Sequence, residues 1–321
     1  MSTTNKIAWF LSGGILCSSL LFLCGTDSKK ELSNKPVVTS FIQSVEVPQS
    51  VVFCDQVIDL TPYDRHERFD REINSFSYLH ATTMLLFKRA NRYFPIIEPI
   101  LKANGIPDDF KYLAVIESHL DAKALSPAKA AGMWQFIPSA GKEKGLRIVD
   151  GVDERYHIEK STEAACKYLK AAYAKYGDWP SVAASYNGGM GRISGELNKQ
   201  DADTALDLWL VEETSRYPYR IMAIKSIFEN PYKYGFVLKK DQLYKPVKFK
   251  TVIVDKDIPD LAAFAKEQGI TYSQLKQFNL WLRDRKLITN GYSYEIQIPD
   301  VKDLSYAMPN KYAHNKNWVV D

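Results

Sequence analysis

Apolar and polar positions fall into three regimes along this chain. At the start, Lys6 precedes an apolar run from Ile7 to Leu23, interrupted by Ser12-Gly13-Gly14. Residues from Thr26 to Val47 are polar with few aromatics, the composition of a flexible tether. From Pro62 to Leu120 apolar residues recur at helical spacing, with the densest pattern over Arg68 to Phe94. Pro95 and Pro99 punctuate the next segment and Gly105 ends it. Pro107-Asp108-Asp109 then opens a new helix, because proline suits a first turn and acids there complement the helix dipole. Leu113, Ala114 and Ile116 continue it, and Glu117 falls near its C-terminal end. Asp121 to Gly151 reads as loop with one short helix. Helices follow over Thr162 to Tyr176, stopped by Gly177, and over Pro180 to Tyr186, stopped by Gly188-Gly189. A further helix runs over Glu212 to Glu229, with Pro218 an irregularity near its start.

After Gly235 the pattern changes. Lys239, Lys240, Lys245, Lys248 and Lys250 cluster, and a solvated linker is the plainer reading of that run. Val247 to Val254 is β-branched and reads as a strand. Leu261 to Gln268 is a short helix closed by Gly269, and Thr271 with Gln274 is the capping-box signal for a second, reaching Phe278. Tyr292 to Ile298 alternates as a strand. The predicted class is therefore mainly α, with a small α+β unit of order βααβ at the C-terminus.

Composition adds bounds. Hydrophobic residues make up 45% and charged residues 25% of the 321, an ordinary soluble balance. A net charge of +4 favours an anionic polymer or membrane surface without specifying either, and nothing points to nucleic acid. The N-terminal run reads as a cleaved secretory signal, as a lipoprotein acylation site at Cys24, or as an uncleaved anchor. All three export the chain. Of the four cysteines only Cys54 and Cys166 remain beyond that segment. They either form one disulfide or stay as thiols, and the helical pattern around Cys166 favours a buried thiol. No Cys or His spacing suggests a zinc site, and no cofactor motif occurs.

The candidate chemistry centres on Ile116-Glu117-Ser118, followed by Gly132-Met133-Trp134-Gln135-Phe136-Ile137-Pro138 and, about fifty residues on, Tyr186-Asn187-Gly188-Gly189. One acid sits at the end of an apolar helix, with amide, hydroxyl and aromatic partners following. That set suits sugar chemistry: a glycosidic oxygen leaves only when protonated, and an apolar wall of Leu113, Ala114, Val115 and Ile116 would keep a carboxyl neutral near pH 7. Asp121, Asp153 and Glu154 read as caps or ion-pair members instead of a second catalytic acid. Trp134 and Trp179 read as core, and His119 as a solvated residue at a helix end.

These motifs, with Val152-Asp153-Glu154-Arg155 and Glu213-Thr214-Ser215-Arg216-Tyr217 in the same order, resemble the lytic murein transglycosylases of glycoside hydrolase family 23. The subgroup they are most similar to is the membrane-bound D type, over about Leu85 to Gly235. The resemblance implies a goose-lysozyme-like helical domain and non-hydrolytic cleavage of the β-1,4 bond between N-acetylmuramic acid and N-acetylglucosamine. The product would be a 1,6-anhydromuramic end. It implies that Glu117 is the sole general acid and base, the C6 hydroxyl of the sugar replacing a second carboxylate. By the same resemblance Ser126 and Gln135 bind the acetamido region and orient Glu117. Tyr186 and Asn187 line the floor, with the Tyr186 hydroxyl on the catalytic carboxylate, and Glu213 and Tyr217 close the site. The chain departs from the pattern at His119, at Tyr156-His157-Ile158 and, harmlessly, at Ser185.

The C-terminal unit resembles a lysin-motif domain, a βααβ module that binds N-acetylglucosamine-containing glycans. Asp255-Lys256-Asp257 replaces the usual turn after its first strand, which leaves glycan binding open. The expected organisation is a signal or anchor at 1–25, a flexible tether at 26–61, and the lysozyme-like domain at 62–235. A basic linker at 236–246, the lysin-motif-like domain at 247–300 and a tail at 301–321 follow. Expected partners are peptidoglycan strands and, through the N-terminal segment, a membrane, which places the protein in the periplasm. A lysozyme-type hydrolase on the same fold and a non-catalytic wall-binding protein are the alternatives.

Overall fold

A computed structural model of the chain describes residues 43–320. The expected signal or anchor and the first part of the expected tether lie outside the described residues. Ser44–Asp321 forms one compact unit.

The first described element corrects the tether reading. Strands β1 (Ser50–Phe53) and β2 (Gln56–Asp59) pair as an antiparallel hairpin with Phe53 opposite Gln56. The two-residue turn is Cys54-Asp55, both at positive φ (50° and 62°), the twist a tight hairpin needs. Phe53 and Leu60 are fully buried. The hairpin is bolted down by polar contacts: Lys225 Nζ donates to Val52 O at 2.9 Å and to Asp109 Oδ2 at 2.6 Å, and Cys54 N donates to the same carboxylate oxygen at 2.7 Å. Cys54 and Cys166 are both free thiols, and burial raises the pKa of each.

Two helices replace the single pattern expected over Arg68 to Phe94. Helix α1 (Tyr63–Tyr78) ends at Leu79, and α2 (His80–Ala103) runs straight through Pro95 and Pro99. A 3-10 turn over Asp108–Phe110 leads into α3 (Lys111–Ser118). Then come the short α4 (Pro138–Glu143), the two-residue strands β3 (Ile148–Val149) and β4 (Val152–Asp153), and α5 (Ile158–Tyr176), closed by Gly177 at φ 64°. Asp178 caps α6 (Trp179–Gly188) by accepting from Ser181 N at 2.8 Å. Helix α7 (Met190–Gln200) was not expected; α8 (Glu212–Glu229) has the predicted bounds. Helix α8 is the axis of the body: twelve of its residues are buried, and it packs on α1, α3 and α6.

The C-terminal unit is βααβ as expected. Strand β5 (Phe249–Val254) pairs antiparallel with β6 (Tyr294–Pro299), and α9 (Leu261–Glu267) and α10 (Tyr272–Phe278) lie between them in sequence. The capping box at α10 is present, Gln274 N donating to Thr271 Oγ1 at 3.1 Å. This unit is joined to the helical body by backbone hydrogen bonds, Asp153 N to Trp281 O at 2.9 Å and Arg283 N to Gly151 O at 2.8 Å.

The expected linker and tail are structural parts of the body. Phe236, Leu238 and Leu243 are buried, and Val320 N donates to Leu238 O at 2.9 Å. Trp318 is buried among Phe87, Phe94 and Phe228, with ring centroids 5.3 to 6.0 Å away, and its indole N–H donates to Phe228 O at 2.9 Å. The chain end therefore completes the hydrophobic core. Among the described residues no helix is long and apolar enough to cross a membrane.

Candidate active site

The sequence of α3, Lys-Tyr-Leu-Ala-Val-Ile-Glu-Ser, is buried all round from Tyr112 to Ile116, and Leu113, Ala114 and Val115 have no exposed surface. A helix buried all round presents its one acid to protein before it presents it to water. Glu117 is only partly reached by solvent. His119 and Leu120 both take φ 54°, which stops the helix and turns the chain sharply behind Glu117. His119 is an exposed cap there, as read from the sequence.

The carboxyl of Glu117 is held by α8. The buried Tyr217 hydroxyl donates to Glu117 Oε1. Burial raises the Glu117 pKa to about 7. The Tyr217 bond and the positive charge of Arg220 pull it down, and the negative charge of Glu213 pushes it up. At neutral pH the group is therefore poised between donor and acceptor, the condition for one side chain to give a proton and take one back. Tyr217 has its own pKa pushed well up, by burial first and then by the Glu117 charge, so it stays a donor.

Tyr186 corrects the expected arrangement. Its hydroxyl donates to Trp134 O at 2.9 Å, and it is Tyr217 that bonds the carboxylate. The Glu117 charge still reaches Tyr186, and its ring stands edge-on to Tyr168 at 5.1 Å. Asn187 and Glu213 meet directly: Asn187 Nδ2 donates to Glu213 Oε1 at 3.0 Å, while its Oδ1 accepts from Thr214 Oγ1 at 2.8 Å. A Cβ on Gly188 would lie 2.8 Å from Thr214 Cγ2, so glycine lets α6 end against the start of α8.

Ser126 and Gln135 lie in the loop after α3, and their hydrogen bonds stay inside it. Ser126 Oγ accepts from Ala130 N at 3.0 Å, and Gln135 Nε2 donates to Gly132 O at 2.9 Å. Neither is hydrogen-bonded to Glu117 among the described residues. Gln135 takes φ 50°, an uncommon conformation for a side-chain-bearing residue that a built loop can hold. Its holder is Arg155, which the sequence reading placed in a motif without a role. The buried guanidinium donates to Lys129 O at 2.6 Å and to Phe136 O at 3.0 Å, while Asp153 anchors it from behind at 2.6 Å. Gly132 packs onto the same residue: a Cβ there would stand 1.9 Å from Arg155 O.

The other structural assignments hold. Asp153 and Glu154 are a cap and an ion-pair partner, Asp121 pairs with Arg89, and Trp134 is fully buried with its indole N–H on Thr162 Oγ1 at 2.9 Å. Two groups behind the site escaped the sequence reading. Arg220 carries a charge felt by both Glu117 and His119, and the buried Glu72 pairs with Arg216 and, at 3.8 Å, with Arg220. Both belong to the α1–α8 contact, which no local motif announces.

Comparison with known families fits this geometry. Residues 94–207 match the profile of the Transglycosylase SLT domain, a span that holds Glu117, the Arg155-clamped loop and Asn187. The chain carries an SLT transglycosylase domain. Behind it, residues 250–302 match the soluble lytic transglycosylase C-terminal LysM-like domain. The membrane-bound lytic murein transglycosylase D of Escherichia coli K12 is 30% identical over 247 residues, 73% of this chain and 51% of that one. The chain thus spans about half the length of that relative. The peptidoglycan transglycosylase gp16 of Escherichia phage T7 is 35% identical over 104 residues, 32% of this chain and 8% of that one. The solved 70 kDa soluble lytic transglycosylase of Escherichia coli is 19% identical, covering 53% of this chain and 30% of its own, with a TM-score of 0.41. The SLT domain boundaries stop short of Glu213 and Tyr217, which α8 adds to the site.

Proposed function

We propose that the protein is a peptidoglycan lytic transglycosylase that cleaves the N-acetylmuramic acid–β-1,4–N-acetylglucosamine bond without water. The observation that carries this reading is the Glu117 carboxyl, raised to about 7 by burial and held by Tyr217. Protonated Glu117 gives its proton to the glycosidic oxygen as the C1–O bond breaks, and the N-acetylglucosamine side leaves with a free hydroxyl. The Glu117 carboxylate then takes the proton from the C6 hydroxyl of the muramic unit as that oxygen bonds to C1. The acid is regenerated and a 1,6-anhydro ring results, so no second carboxylate is required as nucleophile or water-activating base. Tyr217 fixes the carboxyl through both halves. Ser126, Gln135, Tyr186 and Asn187 bind and position the sugar through the loop and the α6 end, with Glu213 at the rim.

The LysM-like domain supports attachment to the same glycan. The apolar N-terminal run supports export to the periplasm and membrane association, by signal, lipid or anchor. Purified protein on isolated sacculi tests the proposal. Release of anhydromuropeptides that stops in Glu117→Gln supports it; products ending in a reducing muramic acid assign a hydrolase instead, and binding without soluble product assigns a non-catalytic wall protein.

A further inference from the structure

A cavity of about 400 Å³ lies where the SLT body, the LysM-like domain and the segment following it meet. This is within the size range of small-ligand sites, which favour such junctions. Helix α2 contributes Tyr93 and Ile96, the start of α5 and the residues before it contribute Tyr156 and Ile158, and the LysM-like domain contributes Phe249, Gln277 and Trp281. Tyr306, from the C-terminal segment, borders the space.

The charged groups in this lining are of both signs and already hydrogen-bonded within the protein. Glu159 is bonded by His157 Nδ1 at 3.1 Å and Gln297 Nε2 at 2.8 Å. Arg92 donates to Lys245 O at 3.1 Å and Tyr306 Oη at 3.3 Å, and Asp303 accepts from Lys248 N at 3.1 Å. With Arg92 set against Glu159 and Asp303, no strong field of one sign is on offer, so an ionic ligand gains little there. What remains is the exposed rings of Phe249 and Tyr306 together with the side-chain amide oxygens of Gln277 and Gln297, which have no donor among the described residues. Flat apolar faces beside neutral hydrogen-bond acceptors match a neutral sugar, whose ring carries C–H faces and hydroxyl edges.

The cavity also lies next to the catalytic loop. Arg89 of α2 donates to His119 O at 2.9 Å, and Arg92, Tyr93 and Ile96 stand three, four and seven residues further along the same helix face. Ala122, five residues past Glu117, lines the cavity too. We propose that this junction is a second carbohydrate site, built jointly by the two domains, that takes a neutral N-acetylhexosamine unit. The source of that sugar rests on the transglycosylase reading of the Glu117 site.

The test uses the full chain carrying Glu117→Gln and the hexamer of N-acetylglucosamine as probe, read by NMR of the Ile96 and Ile158 δ1-methyl groups. Both methyls shift on titration. Phe249→Ala with Tyr306→Ala, two partly exposed rings, weakens that response about tenfold or more. Gln277→Trp, an exposed position at the lining, blocks it without removing any buried group, and decides the matter if the double variant unfolds. Methyls that stay still, or a response unchanged in Gln277→Trp, overturn the proposal. So does a sugar-free stem peptide that moves the methyls where the hexamer does not. Digestion of sacculi by variants with native Glu117 tests the catalytic reading separately, so failure of one is distinguishable from failure of the other.

Discussion

Glu117→Gln should make the protein more stable, and the gain should depend on pH in a way fixed by the site. The carboxyl is forced from 4.5 to about 7 on folding, chiefly by burial. Between those values the folded chain binds a proton more tightly than the unfolded chain, so stability falls as pH rises. Below 4.5 both states hold the proton and nothing is lost; above about 7 both have released it and the full cost is present. Moving a carboxyl across that interval is worth about 3 kcal/mol, somewhat less where solvent reaches the group. Glutamine has the same shape, still accepts from the Tyr217 hydroxyl, and does not titrate. Urea unfolding of both proteins across this range should therefore give curves that meet at acid pH. They should diverge through neutrality, with the variant ahead by about 2–3 kcal/mol at alkaline pH. Other titrating groups cancel in the difference. Parallel curves, or a variant that loses stability at alkaline pH, would refute the claim that burial raises the Glu117 pKa.

Three further outcomes follow from the geometry. Tyr217→Phe removes a bond that lowers the Glu117 pKa, so the alkaline limb of the pH–rate profile should move upward while the rate falls; an unmoved or lowered limb contradicts the assignment. Gly132→Ala places a Cβ 1.9 Å from Arg155 O on backbone at φ 76° and should cost about 4 kcal/mol or more, seen as a lowered Tm or lost soluble protein. Trp318→Ala should cost about 3–5 kcal/mol in chemical denaturation although it lies at the end of the chain, because it empties a core position; a change below 1 kcal/mol would make the chain end dispensable.

What could be read from the sequence was local. The two glutamates opening α8 and the Thr271–Gln274 box opening α10 mark helix starts by their own hydrogen bonding and charge, and both are where expected. The hairpin at residues 50–59 carries no glycine or asparagine at its turn, because Cys54 and Asp55 take the positive φ themselves. Helix α7 has Met190, Ile193 and Leu197 at helical spacing, but Gly191 and Gly195 dilute the signal. Trp318 sits in a polar stretch, and its apolar packing partners Phe87, Phe94 and Phe228 lie 90 or more residues away, so no window around it reveals a core residue. The site divides in the same way. Glu117, Asn187, Glu213 and Tyr217 could be placed from ordered motifs, and the structure brings them into one region. The choice of Tyr217 over Tyr186 as the carboxyl partner depends on how α6 and α8 cross α3. The clamp by Arg155 depends on a chain reversal between Lys129 and Phe136.

The central claim, that one carboxyl serves as both acid and base with the sugar as its own nucleophile, is tested most directly by the mass of the product. Mass spectrometry of fragments released from sacculi by the wild-type chain should show muramic ends one water lighter than the reducing sugar, and none from Glu117→Gln. Reducing muramic ends from the wild-type chain, or anhydro ends released at an undiminished rate by Glu117→Gln, would contradict the account.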